Sequence, residues 1–103
     1  MNNQDSKYGM YTLYDIKAEE AGPLFIAKTD EVAVRSVCLT LNESLYPEDF
    51  RLVHLGEYDS CKMSVCSCGQ TRDIDFLCSL RVFREKLAEY NKTKVRPLFS
   101  EVE

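Results

Sequence analysis

Residues 46–60 read YPEDFRLVHLGEYDS, and the reading of this stretch decides the fold. Pro47 presets its own backbone angle and Asp49 can hydrogen-bond the backbone near it, so Pro47-Glu48-Asp49 predicts a turn or a single helical turn. From Phe50 to Leu55 the chain alternates Phe50, Leu52 and His54 against Arg51, Val53 and Leu55. Both faces carry apolar side chains, which places the strand inside a sheet rather than at its edge. Gly56 permits a bulge or a close backbone approach, and Asp59-Ser60 is a turn. Lys62 to Ser67 therefore predicts a strand paired with the one before it.

The same period-two pattern occurs upstream. Tyr8 to Ile16 places Tyr11 and Leu13 on one face and Met10, Thr12, Tyr14 and Ile16 on the other, in residue types that favour strands. Gly22-Pro23 is a break, and Leu24 to Lys28 is a second short strand that can hairpin with the first. Thr29 is an N-cap candidate followed by the acids Asp30 and Glu31, which suit the positive end of a helix. Val34, Val37, Cys38, Leu41 and Leu45 then recur at helical spacing, and Pro47 sets the end of that helix near Ser44. Phe76, Leu80, Phe83, Leu87 and Tyr90 predict a second amphipathic helix, capped by Asp73 or Asp75 and ending near Tyr90, with Arg81, Arg84 and Lys86 on its exposed face. Residues 1–7 and 91–103 are polar and read as flexible. The order β-β-α-β-β-α predicts a two-layer α+β domain: a mainly antiparallel sheet of about four strands with two helices on one side.

A chain of 103 residues reads as a single domain, 1–103. Its 45% hydrophobic and 29% charged composition is that of a folded globular protein. No stretch reaches the roughly 18 to 20 apolar residues of a membrane span, and the N-terminus lacks the pattern of an export signal, so the expected location is a cytoplasm. Five cysteines, an odd number, read there as free thiols. The net charge is −4, unevenly spread: residues 1–80 hold 7 basic and 13 acidic side chains, whereas residues 81–103 hold 6 and 4. Phosphate binding draws on Lys and Arg, so a grip on an anion is sought first at Arg81, Arg84, Lys92, Lys94 and Arg96.

Enzyme chemistry finds little support. His54 is the only histidine, and its alternation with Phe50 and Leu52 reads as packing rather than as half of a nucleophilic pair with a thiol. Glu48-Asp49 and Glu57-Asp59 flank turns, where acids cap and solvate. The spacing of Cys61, Cys66, Cys68 and Cys78 lacks paired knuckles, so no metal site and no cofactor is predicted, a zinc-stabilised module being a minor alternative. The remaining constellation is aromatic and basic: Tyr8, Tyr11, Tyr14 and Phe25 on the first strands, with Lys17, Lys28 and Arg35. Rings that stack on bases beside cations that meet phosphates are what single-stranded nucleic acid requires. The candidate residues from this group are Tyr11, Tyr14, Phe25, Lys28 and Arg35; the competing reading is that the rings fill the core.

One resemblance adds to this. Tyr11, Tyr14-Asp15, Pro23, Phe25, Asp30, Ala33 and Arg35, followed by Pro47-Glu48-Asp49-Phe50, Leu52 and Leu55-Gly56-Glu57-Tyr58-Asp59, resemble in order and spacing the small nonstructural protein of gokushovirus-type microviruses, which are single-stranded DNA phages. It covers about residues 10–60 and not the cysteine cluster from Cys61 onward or the second helix. The resemblance implies a non-enzymatic replication accessory in the host cytoplasm that binds single-stranded DNA and favours the switch from duplex replication to single-stranded genome synthesis and packaging. It carries no residue-level DNA site. Self-association would multiply weak contacts and reconcile DNA binding with the acidic balance, so a homo-oligomer is expected. The alternative is a protein-protein adaptor acting on the phage initiator, the procapsid or host replication factors without touching DNA.

Overall fold

In this computed structural model the described residues are 6–102, with the side chains of 68–69 and 93–102 excepted. The chain folds as an antiparallel sheet carrying two helices on one face, a small α+β domain. Its strands are β1 (Lys7–Asp15), β2 (Glu20–Ala21), β3 (Phe25–Ala27), β4 (Phe50–Asp59) and β5 (Ser64–Ile74); its helices are α1 (Asp30–Leu41) and α2 (Leu77–Val102). Along the sheet the order is β2-β1-β4-β5, and β3 also pairs with β1.

β4 is central, as its two apolar faces require. It pairs with β1 from Asp15↔Phe50 to Lys7↔Asp59 and with β5 from Leu52↔Ile74 to Asp59↔Ser64. The strand is longer than its apolar half: it crosses Gly56 and continues to Asp59, because β1 and β5 supply ladder partners on both sides. Between His54 and Gly56 the register shifts against both neighbours: against β1 Leu55 is the extra residue of a bulge, whereas against β5 the surplus lies on β5, where residues 68–71 stand opposite Leu55. A Cβ on Gly56 would run into the carbonyl oxygen of Cys66 and lie 3.0 Å from Met10 Cε. The glycine is thus demanded by a close approach of strands.

The expected fourth strand, Lys62–Ser67, is displaced: residues 60–63 form the turn, with Met63 at φ 54°, and β5 runs on to Ile74. The two-residue β2, which pairs with Tyr14 and Asp15, is too short to leave a periodic trace in the sequence. Residues 1–5 of the segment expected to fray lie outside the described residues. Ser6 is tied to the far hairpin, its hydroxyl donating to Asp59 (2.9 Å) and its carbonyl accepting from the Ser60 amide (2.8 Å).

Thr29 caps α1 as expected, accepting from the Val32 amide at 3.2 Å. The helix ends at Leu41, earlier than Ser44, so Leu45 leaves the apolar stripe and is 81% exposed. Asp75 receives the Leu77 amide at the start of α2 (3.2 Å). That helix passes the expected end at Tyr90 and continues to Val102, so 91–102 are helical where a loose tail was expected, and residue 103 lies outside the described residues. No glycine interrupts residues 91–102, and Pro97 alone does not stop the helix. The core lies between the sheet and the helices, where Tyr11, Leu52, Val37, Cys38, Leu41, Phe76 and Leu80 form one cluster.

Candidate functional site

Side chains alternate across a strand, and directly paired residues share a face. Tyr11, Leu13, Leu52, His54 and Ile74 therefore face the helices, whereas Tyr8, Met10, Thr12 and Tyr14 of β1 point to the opposite, helix-free side. Their partners there are Tyr58 beside Tyr8, Gly56 and Ile26 beside Met10, Val53 beside Thr12 and Arg51 beside Tyr14. Val65 of β5 extends the Tyr8–Tyr58 row.

This face is apolar along its middle and aromatic toward its ends. Met10, Thr12 and Val53 are buried, and Tyr8, Tyr14 and Tyr58 are half-buried. Two cations stand over rings: Lys28 Nζ is 4.4 Å from the centre of Tyr8, and the Arg51 guanidinium is 5.7 Å from that of Tyr14. Arg51 is held by a two-point bond to Asp73 (2.9 and 2.8 Å), which keeps the Asp73 carboxyl below the usual carboxylate range. The register turns Asp15, Glu57 and Asp59 toward the helix side and leaves Asp73, opposite Val53, on this face as the counter-charge of Arg51. The acidic balance of the whole chain is therefore not that of this face.

The helix side carries a different polar cluster. Tyr11 is 2% exposed, stacks on Phe25 (5.7 Å between centroids), meets the edge of His54 (5.1 Å) and donates its hydroxyl to Asp30 Oδ1 at 2.7 Å. Arg72 donates twice to the same carboxylate (2.8 and 3.2 Å). Burial and the bond to Asp30 push the Tyr11 phenol well above its ordinary value. The Arg72 guanidinium, helped by the Tyr11 hydroxyl, holds the Asp30 carboxyl low. Asp30 thus ties β1, β5 and the first turn of α1 together. Gly9 makes room for this arrangement, since a Cβ there would lie 2.7 Å from the Tyr11 ring.

The residues singled out from sequence separate into three groups. Tyr14 and Lys28 lie on the helix-free face. Tyr11 is in the core and Phe25 is half-buried against it, so for these two the competing packing reading describes their place. Arg35 is exposed on α1 and borders a groove of about 840 Å³ between the helices, opposite Lys86. Arg81 and Lys92 are exposed on α2, and the side chains of Lys94 and Arg96 lie outside the described residues. Arg84 is not on an exposed face: its Nη2 donates to the carbonyls of Leu41 (2.8 Å) and Ser44 (2.6 Å), closing the C-terminal end of α1. The sequence reading missed Tyr58 and Arg51, and it named Tyr8 without placing it in the site. The signal available was the even spacing of Tyr8, Met10, Thr12 and Tyr14; the cross-strand register that adds Tyr58 and Arg51 is not local.

Among the described residues no three His, Cys, Asp or Glu side chains converge as metal ligands, and no helix is long and apolar enough to cross a membrane. Cys38 is buried, while Cys61, Cys66 and Cys78 are exposed free thiols. In comparison with known proteins, the family model described as Phage ORF5 protein matches residues 8–81. No curated protein and no solved structure matches. The chain belongs to the phage ORF5 family and is a phage protein. The matched region takes in β1 to β5, α1 and only the first turn of α2.

Proposed function

We propose that this phage ORF5 protein binds single-stranded DNA on the helix-free face of its sheet and acts, without catalysis, as a replication accessory of a gokushovirus-type phage in the host cytoplasm. There it favours the switch from duplex replication to synthesis and packaging of single-stranded genomes. The observation that carries this reading is the grouping of Tyr8, Tyr14 and Tyr58 with Lys28 and Arg51 on one face free of helices. Rings offer stacking surfaces to any base, at about 1–3 kcal/mol each, and cations beside them reach phosphates. Tyr8 and Tyr14 are six residues apart on one strand, or about 20 Å at ~3.4 Å per residue, enough to engage several nucleotides at once. The family match supports the sheet over the basic helix, because it contains the whole face and leaves Lys92 and all that follows outside.

The test is anisotropy of labelled oligothymidylate over a salt series. Tyr8→Ala with Tyr58→Ala is expected to weaken binding at least about tenfold at constant salt slope. Lys28→Ala is expected to lower the slope by about one. Arg81→Ala with Lys92→Ala leaves both nearly unchanged. Absence of binding by the wild-type chain at low salt overturns the reading and passes the function to the protein-protein adaptor.

A further inference from the structure

β5 closes one end of the sheet. It pairs with β4 on one side, and among the described residues no strand pairs with its outer side. Such an edge offers backbone N–H and C=O groups to any strand that meets it, and proteins guard edges with charge, proline or brevity. The other outer strands follow that practice: β2 has two residues, one of them Glu20, and β3 has three and is followed by Lys28. β5 has 11 residues but is broken by the register shift at residues 68–71, and its first part, Ser64–Ser67, has neither a charge nor a proline. Ser64, Val65 and Cys66 form a regular ladder with Asp59, Tyr58 and Glu57, ahead of that shift. Met63 is 81% and Val65 67% exposed.

We infer that the outer edge of β5 at Ser64–Cys66 pairs antiparallel with the same segment of a second copy of this chain, joining two sheets across a two-fold axis. The occupant follows from charge. A two-fold contact sets each residue against its own kind or a near neighbour, and an uncharged edge is one of the few that meets itself without like charges opposing. It also presents no charge with which to select a different chain. The pairing would carry the Val65–Tyr58–Tyr8 row of one protomer into that of its partner, making one longer helix-free face. The inference does not rest on DNA binding.

The experiment is sedimentation equilibrium of the full chain without DNA over a wide concentration range, with thiol-to-thiol cross-linking by dibromobimane under reducing pretreatment. A reversible dimer is expected, with Cys66 cross-linking to Cys66 of the other copy and the product lost in Cys66→Ser. Val65→Lys sets like charges across the axis and is expected to raise the dimer dissociation constant at least about tenfold, with the circular dichroism of the monomer retained. Should Val65→Lys fail to fold, Cys66→Lys makes the same test. A monomer at every concentration overturns the inference. So does a dimer indifferent to these edge charges but dissociated by Val82→Glu on α2, or a cross-link that survives Cys66→Ser.

Discussion

Arg84→Ala separates a surface cation from a structural one. In the structure Arg84 reaches from α2 to the end of α1 and donates to two carbonyls, those of Leu41 and Ser44, at 2.8 and 2.6 Å. α1 has no basic residue of its own in its last turn, so Arg84 is the cation that meets the negative end of its dipole. Two hydrogen bonds from a charged donor contribute about 3 kcal/mol, and the dipole adds about 0.5. Against this, Arg84 Nε is buried without a partner, which costs about 1–2 kcal/mol. The expected net loss on substitution is therefore about 2 kcal/mol, or a fall of about 8–16 °C in melting temperature for a domain of this size. Urea denaturation of wild type, Arg84→Ala and Arg84→Lys measures it, with lysine recovering part of the loss and the m-value unchanged. A destabilisation below about 0.5 kcal/mol refutes the reasoning, since that is the effect of a surface substitution touching nothing.

Gly56→Ala is expected to destabilise by about 1–3 kcal/mol, because the added methyl meets the Cys66 carbonyl and cannot move away from it. Gly22→Ala, whose Cβ would lie 3.3 Å from the Leu13 carbonyl, is expected to cost less, and equal melting temperatures for the two variants would refute the close approach. Asp30 gives the acid dependence: its carboxyl is held low by Arg72 first and Tyr11 next, so it stabilises the fold above the ordinary carboxylate range and that contribution fades as pH falls through the lowered folded value. Asp30→Asn is accordingly less stable than wild type at neutral pH, and the difference closes in acid. A gap that stays constant down to pH ~2 shows that the carboxylate charge is not what stabilises.

What the sequence determined by itself was what is local. The alternation around Phe50–Leu55, the Thr29 cap, the stripe from Val34 to Leu41 and the Phe76–Leu80–Phe83 spacing each depend on residues within a turn or two, and together they specify an antiparallel α+β sheet with a central β4. The resemblance read from residues 10–60 reached as far as a phage protein. The tertiary structure decided what depends on distant partners. Tyr8, Tyr11 and Tyr14 are the same residue type at three-residue steps, and only the packing of α1 and α2 on one side of β1 buries Tyr11 against Asp30 and leaves the other two on the open side. Arg51 and Tyr58 join that face through a pairing of strands more than 30 residues apart in the chain. Arg84 looked solvent-facing by helical period, yet two carbonyls 43 and 40 residues away set its role. A side chain's alternation gives its face but not which face will be covered, since coverage is settled by where the hydrophobic stripes of the helices find their largest burial.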